Sequence, residues 1–178
     1  SRLVDLTGGF GVDFSLMARN FTEATYVERN EALFPIARHN FTLLGLSHAE
    51  VVCGDGTQYL QSMPVADNRL PLSTSTLIYL DPARRDNHGR KVFGMEECTP
   101  DVVSLADALL QRADVVLVKL SPMLDWHEAV RKLRHVVEVH IVSVANECKE
   151  LLLVLESASA TDGARAQSKS PHIYCVND

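Results

Sequence analysis

Apolar positions along the chain follow two alternating rhythms. Short runs dominated by Val, Leu, Ile and Tyr predict strands over 2–7, 23–28, 49–55, 75–81 and 114–120. Longer segments between them repeat apolar residues at helical spacing and predict helices over 12–20, 31–46, 56–63, 100–112 and 123–133. In the first helix Phe14, Met17 and Ala18 carry that spacing. Pro35 falls in the first turn of the second, where its missing N–H costs nothing, and Gly45 is placed to cap the last turn. Thr57 is the expected cap of the third helix. Pro100 opens the fourth, with Asp101 in its first turn. After 133 the rhythm changes. Two strand runs, 136–145 and 150–157, are separated only by 146–149. A parallel crossover needs about a dozen residues or more, so these two runs form an antiparallel hairpin. Residues 158–170 are small and polar and read as a loop, and 172–177 can add an edge strand.

Five β–α units followed by a hairpin predict an α/β fold. It is Rossmann-like and doubly wound, with a mostly parallel seven-stranded sheet and an antiparallel C-terminal hairpin. Ligands of such sheets bind beyond the C-terminal strand ends, where strand order reverses. A chain of 178 residues fits a single domain over 1–178. No apolar run reaches the ~18 residues of a membrane span, and no signal-peptide pattern is present. The four cysteines, Cys53, Cys98, Cys148 and Cys175, lack CxxC spacing. They read as free thiols of a cytoplasmic protein, with no metal expected. A net charge of −6 argues against nucleic-acid binding by bulk electrostatics but leaves room for a local basic patch. The chain opens inside a strand signal without an initiator Met, so it is expected to be one domain of a longer protein.

The chemistry-bearing residues stand just after the predicted strands. "DLTGGFGVD" follows the first. Its glycines permit a tight turn and close approach of backbone N–H groups to a ligand. Asp5 is a carboxylate in an otherwise apolar run and needs a partner. A dinucleotide fingerprint would read GxGxxG; Gly9 and Gly11 fit its first two positions, but Phe14 stands at the third. Glu28 ends the second strand, where a ribose-binding acid belongs. Asp55 lies between Gly54 and Gly56 after the third; it can meet an adenine amino group or cap the next helix. Asp81 and Pro82 end the fourth, and proline holds Asp81 extended. Arg84, Arg85, Arg90 and Lys91 follow as a basic loop. Lys119 and Ser121 reach the same rim from the fifth strand. Asn146, Glu147 and Cys148 fall in the expected hairpin turn.

Taken together, these four strand ends resemble the class I S-adenosylmethionine-dependent methyltransferases over nearly the whole chain. "DLTGGFG" is similar to the D-x-[FYT]-x-G-x-G form common in RNA methyltransferases, with Thr7 where many relatives carry a first glycine. "VERN" with "YLDP" is similar to the bacterial family that methylates guanine in small-subunit ribosomal RNA. "LDPARR" and "VANECKELL" resemble a bacterial group in which a THUMP-like, RNA-holding domain follows the methyltransferase domain.

The resemblance implies S-adenosyl-L-methionine as cofactor and RNA as partner. It places Thr7, Gly8, Gly9 and Gly11 against the methionine part, Asp5 on the amino group, Glu28 on the ribose, and Asp55 with Gly56 at the adenine. It implies that Asp81 and Pro82 face a base amino group, with Arg84, Arg85, Arg90 and Lys91 on the RNA. Arg84 stands where base-amino methyltransferases usually carry an aromatic residue; a guanidinium also stacks on a base. A small-molecule or protein acceptor, a non-catalytic cofactor-binding module, and a nicotinamide oxidoreductase are the competing readings.

Overall fold

In the computed structural model of the chain, residues 1–65, 75–83, 95–156 and 170–178 are described. β1 (Arg2–Asp5) is fully covered from Leu3 onward, as expected of a parallel strand with both faces packed. β2 (Glu23–Glu28) pairs with it in parallel, and β3 (Ala49–Cys53) pairs with β2. The chain then returns to the other side of β1, where β4 (Thr76–Leu80) also pairs in parallel. The order β3-β2-β1-β4 therefore reverses at β1. All four strands end on one rim, with Asp5 in register with both Tyr26 and Tyr79.

Among the described residues of this unit, Ser1–Leu80, there are three α-helices. α1 (Val12–Met17) continues through a single 3-10 turn over Ala18–Asn20. α2 (Phe34–Leu43) starts three residues later than the apolar spacing suggests, with Pro35 in its first turn as expected. It ends as Gly45 predicts. Gly45 has φ 74°, its N–H donates to the Thr42 carbonyl (3.1 Å), and Leu46 N–H donates to Phe41 (2.9 Å). That is the Schellman pattern, with Leu46 and Phe41 both buried. α3 (Gly56–Ser62) is capped by Asp55 and not by Thr57. The Asp55 carboxylate accepts from Thr57 N–H (2.9 Å) and Gln58 N–H (3.1 Å); a hydroxyl at position 57 is already inside the helix. The core is an aromatic triangle of Phe14, Tyr26 and Phe41, with centroids 5.0–5.4 Å apart.

The second unit, Asp81–Asp178, contains α4 (Val102–Leu110), β5 (Val115–Leu120), α5 (Trp126–Lys132), β6 (Val136–Val144), β7 (Glu147–Glu156) and β8 (His172–Asn177). Asp101 caps α4 and Asp125 caps α5, so α5 opens at Trp126 and not at 123. The strand order is β5-β7-β6-β8. β7 runs antiparallel to both β5 and β6, and β8 pairs with β6 in parallel. Eight strands are thus described where seven plus a possible edge strand were expected. The fold class is the expected one: mixed α/β, mostly parallel, with antiparallel strands toward the C-terminus.

The hairpin corrects one expectation. Its turn is Ala145–Asn146 alone, with φ of 50° and 64°. Glu147 and Cys148 therefore lie within β7 and outside the turn. Two positive φ values match the twist of a tight hairpin, which needs no longer connection. The turn is tied to the end of β8: Asn146 N–H donates to the Asn177 Oδ1 (3.0 Å), and the Asn177 amide donates to Asn146 Oδ1 (3.0 Å).

Candidate functional site

At the rim of β1, Asp5 is 2% exposed. Its Oδ1 accepts from Thr7 N–H (2.9 Å), Thr7 Oγ1 (3.2 Å) and Gly8 N–H (3.1 Å). Its Oδ2 accepts no hydrogen bond among the described residues. Burial raises the Asp5 pKa to about 7, against the pull of the Thr7 and Gly8 donors.

Glu28, at the end of β2, is also buried. It uses both oxygens: Oε2 accepts from Gly9 N–H (2.6 Å) and Oε1 from Asn30 N–H (2.6 Å). It clamps the glycine loop to the segment that leads into α2. The Tyr26 hydroxyl donates to the Gly9 carbonyl from below. Burial, followed by the charges of Glu28 and Asp5, raises the Tyr26 pKa and keeps that hydroxyl a donor.

Asp55, beyond β3, repeats the arrangement of Asp5. Oδ1 holds the first turn of α3, and Oδ2 accepts no bond among the described residues. Gly54 N–H donates to the Glu28 carbonyl (2.9 Å), which joins the ends of β2 and β3. Asp5, Glu28 and Asp55 are therefore brought to the ends of three neighbouring parallel strands.

The glycines differ in what requires them. Gly8 and Gly11 have positive φ, and a side chain at either would collide: 2.7 Å from the Val27 carbonyl at Gly8, 2.5 Å from the Phe41 ring at Gly11. A Cβ on Gly56 would lie 2.0 Å from the Leu6 carbonyl. These three are demanded by packing within the protein. Gly9 alone of the loop looks into open space, its nearest neighbour the Thr7 carbonyl at 3.8 Å, and its φ of 64° favours glycine. Thr7 spends its N–H and hydroxyl on Asp5. Phe14, the residue that breaks the dinucleotide fingerprint, is wholly buried in the aromatic triangle.

Asp81 directly follows β4 and is exposed, while Pro82 is buried. Ala83 exchanges two backbone hydrogen bonds with Thr99, at 2.8 and 2.9 Å, and pins the chain just beyond. The Asp81 carboxylate lies 3.3 Å from Lys119 Nζ, and the same ammonium lies 3.5 Å from Glu150. Ser121 is buried and accepts from Met123 N–H (3.2 Å). Arg84, Arg85, Arg90 and Lys91 lie outside the described residues. Among the described residues no group of three His, Cys, Asp or Glu could hold a metal, and no helix is long and apolar enough to cross a membrane.

Sequence reasoning missed the clamp formed by Tyr26 and Asn30, and the acid–lysine–acid bridge. A tyrosine inside a buried strand signals core, and only folding brings its hydroxyl under the loop.

The chain is similar to a candidate methyltransferase of known structure from Porphyromonas gingivalis W83, at 36% identity and a TM-score of 0.72. The chain has the fold of the class I S-adenosylmethionine-dependent methyltransferases. The alignment covers 88% of this chain and 36% of that one. An uncharacterised S-adenosylmethionine-dependent methyltransferase of Mycobacterium tuberculosis is 26% identical over 149 residues, 84% of this chain and 37% of that protein. The chain thus spans little more than a third of either relative. A methyltransferase-like protein of Streptococcus mutans, solved with S-adenosylhomocysteine, shares the methyltransferase fold at a TM-score of 0.59 and 10% identity, covering 88% of each chain. No protein-family model matches the chain.

Proposed function

We propose that this chain is the catalytic domain of an S-adenosylmethionine-dependent methyltransferase that acts on RNA, at a base amino group. One observation carries the cofactor reading. Asp5 and Asp55 each anchor their own loop through one oxygen and leave the other unbonded among the described residues, at strand ends joined through Glu28. The donor set fits the cofactor: a carboxylate oxygen at β1 for a cationic amino-acid end, and another at β3 for an adenine amino group. A carboxylate offers about four lone-pair sites, so Glu28 still has two for ribose hydroxyls. The open side of Gly9 lets backbone approach the cofactor without a side chain between them.

The bound cofactor supplies a methyl group carried on a sulfonium. The chain supplies alignment and exclusion of water. Asp5 holds the amino-acid end, Glu28 and Asp55 fix the nucleoside, and Gly8, Gly11 and Gly56 shape the loops. The acceptor amine donates to the Asp81 carboxylate and the Pro82 carbonyl, which turns its lone pair toward the methyl group. The RNA reading is supported by the "DLTGGFG" and "YLDP" motifs and by the basic run Arg84, Arg85, Arg90 and Lys91. By the same resemblance, a THUMP-like domain in the longer protein holds the RNA.

Two measurements test this. Calorimetry with S-adenosylhomocysteine gives micromolar-range binding that Glu28→Ala abolishes, and NAD gives none; binding of NAD alone overturns the reading. Methyl incorporation into total RNA from a strain lacking the gene is seen with the native protein and lost with Asp81→Ala. Cofactor binding without labelling of RNA would leave a different acceptor or a non-catalytic module.

A further inference from the structure

Every residue of β8 is exposed, and among the described residues only β6 pairs with it. The ladder with β6 settles which backbone groups of β8 face away. Asp178 N–H donates to the Ser143 carbonyl (3.1 Å), and the Asp178 carbonyl accepts from Ala145 N–H (2.7 Å). Alternate residues of a parallel strand point N–H and C=O to the same side. His172, Tyr174 and Val176 therefore face β6 as Asp178 does. Ile173, Cys175 and Asn177 turn theirs outward.

We propose that this edge docks a second copy of the chain, β8 against antiparallel β8, about a two-fold axis at Cys175. That register sets Ile173 against Asn177 of the second copy, and Cys175 against Cys175. Each outward N–H and C=O of these three residues then meets an outward group of the other copy. The register one pair earlier would set Asn177 against Pro171, which has no N–H. The side chains match in the same register. Tyr174, already stacked on His140 at 4.7 Å and 19°, falls opposite Val176 of the second copy. Aromatic against β-branched is a favourable cross-strand pair. His172 falls opposite Asp178 of the second copy, an imidazole against a carboxylate. By symmetry both matches occur twice. The order β5-β7-β6-β8 thereby continues into the second copy as one sheet. A single short strand pair is a small interface, so the dimer is weak and depends on concentration. The proposal is independent of the cofactor and acceptor readings.

Sedimentation velocity over a concentration series tests it. The native chain gives a reversible monomer–dimer equilibrium, and dibromobimane, which bridges two adjacent thiols, links Cys175 to Cys175. Cys175→Pro removes an N–H that faces outward and leaves the β6 ladder intact. It abolishes the dimer with an unchanged circular dichroism spectrum. His172→Asp sets acid against acid and weakens the dimer about tenfold. Adding Asp178→His to it restores the affinity, which no effect within one copy would do. A chain that stays monomeric overturns the proposal, and slow hydrogen exchange at Ile173, Cys175 and Asn177 in that monomer would assign the edge to a segment of the same chain. A dimer that survives Cys175→Pro, or a double variant that restores nothing, overturns it as well.

Discussion

Asp5 is held between two opposed forces. Burial favours its neutral form, and three donors on Oδ1 favour the carboxylate. Burial wins, so the group carries a folded pKa of about 7 against an ordinary 3.8. An acid whose pKa rises on folding binds its proton more tightly in the folded chain. Its contribution to stability is therefore full below about pH 4 and is lost as pH climbs to about 7. A shift of this size corresponds to as much as about 4 kcal/mol. Asp5→Asn removes the ionisation while keeping an oxygen for the Thr7 and Gly8 amides. Urea denaturation at a series of pH values should show the variant gaining on the native protein between pH 4 and 7. A pH-independent difference would mean that Asp5 stays ionised throughout. The same variant should bind S-adenosylhomocysteine more weakly, since it offers no charge to the amino group.

At the scale of elements, some boundaries were legible in the chain and others were not. Pro35 and Gly45 marked α2 because their backbone constraints act locally and need no partner. Short runs of Val, Leu, Ile and Tyr gave every strand of the first unit, because parallel strands packed on both faces are apolar almost throughout, and the acids at 5, 28 and 55 fell at or just beyond strand ends as expected. The hairpin and the place of Asn146 in its turn were legible, but the exact turn pair Ala145–Asn146 was not, because neither residue is glycine and the register of β6 with β7 sets where the turn falls. The same pairing drew Cys148 into a strand. Lys119 and Glu150 are far apart in sequence, and only the β5–β7 register brings them together. The turn also makes a prediction. Ala145 occupies a left-handed conformation that costs a residue with a Cβ about 1 kcal/mol or more. Ala145→Gly should raise stability by about 0.5–1 kcal/mol, visible as a higher denaturation midpoint, after the entropy lost by glycine is deducted. An unchanged or lower midpoint would mean the cross-links between Asn146 and Asn177 already absorb that strain.

For the molecule as a whole, the first unit gathers the proposed cofactor contacts and the second the proposed acceptor contacts. A formal charge of −6 then leaves RNA attraction to local groups, since the overall field repels phosphate. The last strand adds something of a different kind. β8 closes the order β5-β7-β6-β8 and reads "HIYCVN", with no lysine, carboxylate or proline. Ile173 is 47% exposed and Val176 52%. Among the described residues no strand pairs with its outer edge, and its own sequence carries none of the usual deterrents to annexation by another strand. Concentrated solutions should therefore build assemblies that light scattering detects. A single charge at Ile173→Lys should dissolve them.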